Sequence, residues 1–420
     1  MRDIGGPKVS WRTRVMTAMI GTLLGAVAPT PGTFGQDPWP EFQRTASRLG
    51  RTDTIGPQTP TIAWSIRADP TPGDGEVLYT AQPVMDAAGR IFVGGIRYMT
   101  AIDSLDRDVE WTVPLSDNAV APRSLYDGKL LFGSPNDFFY CLDAATGEEI
   151  WSRPAEPHPN RGSVVDERGV VYYPSQRDVL YARRVDDGSE EWTHNHYATF
   201  NCAPALDGLG QLYIGDVDFA EWLAFDTADG QIVWPFFLGD QAPMTSPVEN
   251  GRVYVIAPSP RRLYCLNAET GEEIWSFYTE LYAGGGAAIR HDGVIYVNAS
   301  GGSGWLFAVT PDGHELWRYP IINQSLNQPP MIDGGGTAYF CTYGGGALGR
   351  VHAVRADGTG LWVREMPNKV AATPMLAPDG TLYVMCKDKY LYAFHDPPNL
   401  DKADADDHKK ATDVRPVPQP

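Results

Sequence analysis

Seven tryptophans, each closing an acidic turn, recur along the chain at nearly constant intervals. They are Trp111 in DSLDRDVEW, Trp151 in LDAATGEEIW, Trp192 in RRVDDGSEEW, Trp234 in FDTADGQIVW, Trp275 in LNAETGEEIW, Trp317 in VTPDGHELW and Trp362 in VRADGTGLW. Trp64 in TPTIAW precedes them, and the spacings from Trp64 onward are 47, 40, 41, 42, 41, 42 and 45 residues. A period near 42 is that of a four-stranded propeller blade. Each unit also carries a Gly followed by an alternating apolar strand: GRIFVG, GKLLFG, GVVYYP, GQLYIG, GRVYVI, GVIYVN, GTAYFC and GTLYVM. That alternation buries one side of each strand between blades.

Eight Gly-led strands but only seven Trp turns follow one another, so the last unit, ending at LYAFHD, lacks its fourth strand. The strand around Trp64 supplies it. The fold class expected is therefore all-β: an eight-bladed propeller of four-stranded blades, closed by its N-terminal strand and left without free edges. Residues 61–396 hold 336 positions, or 42 per blade. A seven-bladed ring is the alternative count. In six units a Gly stands four residues before the Trp (Gly147, Gly188, Gly230, Gly271, Gly313 and Gly358), where a hairpin needs positive φ. Arg107 holds that place in the first unit, which predicts a different turn or a strained residue there.

Composition sets limits on function. With 44 Gly and 35 Pro the chain is too rich in turn formers for a helical bundle. A formal charge of −18 argues against nucleic acid or an anionic membrane as partner. Arg2, Lys8, Arg12 and Arg14 precede an apolar stretch from Val15 to Ala28, which reads as a secretory signal over residues 1–35 and not as a membrane span. An N-terminal segment over 36–60 leads into the propeller at 61–396, and an acidic, Pro-rich tail over 397–420 is expected to be disordered. This organisation predicts a periplasmic or secreted monomer with no mature transmembrane segment.

LDAATGEEIW and LNAETGEEIW resemble the pyrroloquinoline-quinone-like (PQQ-like) repeat Ala-x-Asp-x-x-Thr-Gly-x-x-x-Trp, with Cys141 and Cys265 in the place of the Ala. The segment from Trp39 to Trp64 is similar to the lead-in of secreted bacterial proteins with this propeller. The resemblance implies one of two roles. Quinoprotein dehydrogenases bind the quinone and Ca²⁺ at the propeller centre, and often carry a vicinal disulfide and c-type haem sites. Neither a Cys-Cys pair nor Cys-x-x-Cys-His occurs in this chain. The other branch is non-enzymatic and resembles the propeller component of the outer-membrane barrel assembly machinery, although the lipid-anchor Cys of that protein has no counterpart after the apolar stretch.

The eight tryptophans from Trp64 to Trp362 are assigned a structural role, wedging each blade against the next. Trp222 and Trp305 lie outside the repeat register. Gln82, Arg123, Asn160, Arg161, Asn201, Asn327, Gln328 and Thr373 fall on or just before the inner strands, where convergent amides and guanidinium groups would face a channel ligand or channel water. His194, His196 and His158 are candidates for a Zn²⁺ or Cu²⁺ site on one rim, though solvated loop histidines explain them as well. Cys141 and Cys265 read as small buried residues, and Cys341 and Cys386 sit in neighbouring blades in differing register. No catalytic, cofactor or metal residues are assigned. The function expected is a non-catalytic scaffold binding a protein or cell-envelope component. The alternatives are a PQQ- and Ca²⁺-dependent dehydrogenase and a carbohydrate-binding propeller.

Overall fold

Thirty-two strands, and no helix among the described residues, make eight antiparallel sheets of four strands each. The sheets ring a common axis as an eight-bladed β-propeller. A computed structural model describes residues 40–71, 82–118 and 123–397, apart from 156, 160, 201, 240–245, 284, 301–302, 323, 326–327, 345–346 and 371. The expected signal segment, and the tail beyond Pro397, lie outside the described residues. The described residues all fall in one compact unit, Thr33–Pro420; the other unit, Met1–Gly32, lies wholly outside them.

Strands are named A to D from the axis outward. Blade 1 is built from Val84–Met85, Arg90–Gly94, Tyr98–Asp103 and Val109–Pro114 in that order, and blades 2 to 7 repeat the pattern. Blade 8 draws its first three strands from the C-terminal end and its D strand, Ile62–Arg67, from the N-terminal end. That strand pairs with Tyr390–Phe394, setting Trp64 opposite Ala393 and Ile66 opposite Leu391. Beside this seam one continuous core joins blades 7, 8 and 1, with Tyr339, Trp362, Tyr383, Phe394, Ile91 and Ile102 among its members.

Every repeat tryptophan lies directly opposite the small residue of the C strand. The pairs include Ala101 with Trp111, Cys141 with Trp151, Ala224 with Trp234 and Cys265 with Trp275. A bulge follows each of these pairs, between the small residue and its successor. The Ala or Cys of the repeat is therefore the residue small enough to lie across from an indole. Six of these indoles then hydrogen-bond to the next blade. Trp151 Nε1 donates to the Val185 carbonyl at 2.9 Å, Trp192 to Thr227 at 3.0 Å, Trp234 to Ala268 at 3.0 Å and Trp317 to Ala356 at 2.9 Å. Trp362 has blade 8 as its neighbour and donates instead to Pro57 of the N-terminal segment, at 2.9 Å.

The turn glycines meet these indoles face on. Gly230 has φ +70, and a Cβ there would lie 2.5 Å from Trp192 Cε3. Gly271 has φ +73, and its Cβ would lie 2.6 Å from Trp234. The positive φ was legible in the sequence; the close approach of the neighbouring blade's indole is a second, independent reason for glycine. Arg107 takes φ 60 at the same place, so the strained option holds. All five cysteines are free and buried.

Candidate functional site

The antiparallel order gives the propeller two unlike faces. A-to-B and C-to-D turns lie on the lower face; B-to-C hairpins and the D-to-A crossings between blades lie on the upper one. The segment 40–57, expected only to lead into the ring, runs across the lower mouth and closes it. It does so by pairing with the lower ends of successive inner strands. Leu125 N donates to the Pro40 carbonyl at 2.7 Å, Leu206 N to Ala46 at 2.9 Å, Val248 N to Ser47 at 2.9 Å, Ile289 N to Leu49 at 2.9 Å and Ile332 N to Gly50 at 2.7 Å. These contacts engage blades 2, 4, 5, 6 and 7. Val165 N of blade 3 donates to Glu41 Oε1 at 3.0 Å.

The side chains of this plug fill the axis. Arg48 is fully buried, and its guanidinium donates to the carbonyls of Pro204 at 2.9 Å, Phe42 at 2.8 Å and Ser163 at 2.7 Å. Glu41 lies 3.5 Å from it. Burial pushes the Glu41 carboxyl up and the Arg48 guanidinium down, and each partially restores the charge of the other. Gln43 Nε2 donates to the Ala287 carbonyl at 2.7 Å. Gln43, Arg44 and Arg48 all adopt positive φ, so the segment is coiled tightly enough to turn within the ring. The sequence signal was present in EFQRTASRLGR, whose polar residues suit no blade strand, but no pattern rule relates such a stretch to a channel.

The proposed channel residues divide between this plug and the upper mouth. Gln82 is buried; its Oε1 accepts from Gln43 N at 2.7 Å, so it tethers the plug. Arg123, also buried, donates to the Gln82 carbonyl at 3.4 Å. The Gln328 carbonyl accepts from Asn298 Nδ2 at 2.7 Å. Arg161 and Thr373 precede the inner strands of blades 3 and 8, and Arg161 Nε and Thr373 Oγ1 are buried with no hydrogen-bond partner among the described residues. Asn160, Asn201 and Asn327 lie outside the described residues.

The upper face carries the exposed aromatic rings. Tyr197 is 80% exposed, Phe237 67%, Tyr278 51%, Phe219 50% and Tyr282 50%. All five sit on B-to-C hairpins, D-to-A crossings or the upper ends of D strands, on blades 3 to 6. The lower face exposes aliphatic residues such as Leu105, Ile150, Leu209 and Ile274. The histidine trio does not assemble. His158 Nδ1 pairs with Asp137 at 2.9 Å in blade 2, whereas the His194 and His196 rings are 6.1 Å apart. His196 instead meets Asp216 at 3.2 Å, with Glu221 nearby; the run DVDFAE was the overlooked signal. Trp222 is fully buried, while Trp305 is partly buried under Arg318 at 5.3 Å. Burial raises the thiols of Cys141, Cys202 and Cys386 to about 12 and that of Cys265 to about 11, which makes them poor nucleophiles.

Eight four-stranded blades, six of them latched to the next by an indole hydrogen bond, define a propeller of the PQQ-like repeat class. The family described as outer membrane protein assembly factor BamB matches residues 50–204 and 203–397, and the chain belongs to that family. Tetrathionate hydrolase from Acidithiobacillus ferrooxidans is 25% identical over 244 residues, which cover 51% of this chain and 48% of that protein. The chain thus spans about half the length of this curated relative. Among solved structures, BamB from Moraxella catarrhalis aligns with TM-score 0.62 and 17% identity, over 79% of this chain and 98% of that one. A europium-containing methanol dehydrogenase aligns with TM-score 0.69 and 12% identity, over 85% and 89%. At such identities these structures share the fold alone.

Proposed function

We propose that the protein is a non-catalytic binding platform of the bacterial periplasm or cell surface, and that it receives a protein partner on its upper face. The observation that carries this reading is the uneven distribution of exposed aromatic rings: the five most exposed crowd the upper rim of blades 3 to 6, opposite the plugged mouth. Tyr and Phe supply large contact area at small entropic cost and are enriched at protein interfaces. The rings span several blades and so suit an extended partner surface better than a single stacked sugar. The family's description as an assembly factor agrees with this reading.

A quinone-dependent oxidoreductase is the second reading. It is favoured by Arg161 Nε and Thr373 Oγ1 near the upper mouth, which are buried with no hydrogen-bond partner among the described residues. Arg161 and Thr373 would hold a quinone there, above the plug, and the quinone would supply the redox chemistry. Burial lowers the Arg161 guanidinium from its usual value, so an anionic group beside it would restore the charged form.

The two readings separate in one comparison. Tagged wild-type protein, a Tyr197→Ser/Phe219→Ser variant and a lower-face Leu209→Ser control are incubated with solubilised envelope. The platform reading expects one defined partner on wild type and control, and its loss from the rim variant. Tight stoichiometric binding of quinone with Ca²⁺, accompanied by dye-linked alcohol oxidation, would overturn it. Displacement of the partner by free glycans would transfer the rim to a carbohydrate.

A further inference from the structure

We propose that the upper hairpin of blade 4 forms a divalent transition-metal site from His196, Asp216 and Glu221. The ligand atoms of these three residues all lie within 4.8 Å of one another. They come from two adjoining segments: His196 follows the D strand of blade 3, Glu190–Asn195, while Asp216 and Glu221 bracket the hairpin between Gln211–Gly215 and Glu221–Asp226. The inference is independent of the partner-binding reading.

Three observations carry it. The first is charge. Asp216 is fully buried, and its ion-pair partner among the described residues is His196, 3.2 Å away. Glu221 adds a second carboxylate within reach, and its side chain has no hydrogen-bond or ion-pair partner among the described residues. Two carboxylates facing one imidazole, one of them fully buried, repel each other unless a cation lies between them.

The second is preorganisation. Phe219 N donates to Asp216 Oδ1 at 2.7 Å, which orients the carboxylate and leaves Oδ2 toward His196. The His196 ring is stacked on Phe200 at 5.1 Å and meets the Phe219 edge at 5.9 Å, while its backbone N donates to Asp178 at 2.6 Å. Second contacts of this kind fix ligand direction before the ion arrives.

The third is the donor spacing. An ion about 2.1 Å from nitrogen and oxygen donors places tetrahedral ligand atoms roughly 3.4 Å apart. His196 and Asp216 already meet that spacing, and Glu221, partly exposed at a strand start, closes the remainder by rotating its side chain. One imidazole with two carboxylates suits Zn²⁺ or Mn²⁺ better than Ca²⁺ or Mg²⁺, which favour all-oxygen shells. Three protein ligands leave a fourth position open to water or a small ligand.

The test uses the full chain, stripped with a chelator and titrated at neutral pH by calorimetry with Zn²⁺ alone and then Ca²⁺ alone. One Zn²⁺ per chain is expected, with Ca²⁺ at least about a hundredfold weaker. Glu221→Gln and His196→Gln should each weaken Zn²⁺ by about tenfold or more. His314→Gln, which removes an exposed imidazole elsewhere, should leave binding unchanged. Co²⁺ should give a visible absorption band in wild type that His196→Gln shifts or abolishes. If His196→Gln fails to fold, Glu221→Gln decides, because that side chain holds no contact the fold needs. Absence of saturable Zn²⁺ binding to the folded wild-type chain, or wild-type affinity in Glu221→Gln, would overturn the site.

Discussion

At Gly230 one atom separates a fitting residue from a misfit. An added Cβ meets both an unfavourable backbone conformation and the Trp192 ring 2.5 Å away. Gly230→Ala is expected to cost about 1–2 kcal/mol from strain alone, and more as the indole moves. Arg107→Gly is expected to stabilise the protein by up to about 1 kcal/mol, since φ 60 no longer opposes a side chain there. Urea unfolding of the two variants checks both signs. His352 governs a pH response. Burial, with Arg350 nearby, lowers its pKa from 6.5 to about 4, and Nε2 lies 3.0 Å from Thr342 Oγ1. Its folded pKa is depressed, so the unfolded chain takes up a proton first as pH falls below 6.5, and stability declines toward pH 4. A full shift of that size is worth roughly 3 kcal/mol at about 1.4 kcal/mol per unit. In His352→Phe, which retains a ring against Phe340, the loss of stability between those two pH values should be smaller by most of that amount.

At the scale of the element, the plug behaves as a ninth structural unit inside an eight-unit repeat. Its stability rests on Arg48, whose guanidinium reaches carbonyls belonging to blades 3 and 4 and to the plug itself. Arg48→Met leaves Glu41 buried without its counter-charge, and a loss of about 3–5 kcal/mol is expected. The double variant Arg48→Met/Glu41→Gln should lose less than the single one, because no uncompensated charge remains. Thermal unfolding of both proteins gives the comparison. The blades themselves were legible from short-range rules: alternating strands, a turn glycine, and an indole at fixed distance. The plug was not, because its hydrogen bonds join residues far apart in the chain. Leu49 and Ile289, for example, pair across 240 positions with nothing local to announce it.

For the whole molecule, the closed ring followed from counting eight B strands against seven D strands, and Trp64 does lie beside the last C strand. The candidate site was legible only in part. Gln82 and Arg123, expected near the channel, lie just before the inner strands of blades 1 and 2, and the first of them is spent on the plug. Asp216 and Glu221 escaped notice because carboxylates in a hairpin look like ordinary solvated turn residues until the fold brings His196 to them. The distribution of aromatic rings between faces was equally hidden, since it depends on which connections share a side. The platform reading requires that the N-terminal segment close the lower mouth. Amide hydrogen exchange tests this at Leu125, Leu206, Val248, Ile289 and Ile332, whose N–H groups donate to plug carbonyls. Protection equal to that of the blade strands, lost only on global unfolding, is the expected result. Rapid exchange at those five amides, with the neighbouring B strands still protected, would contradict it.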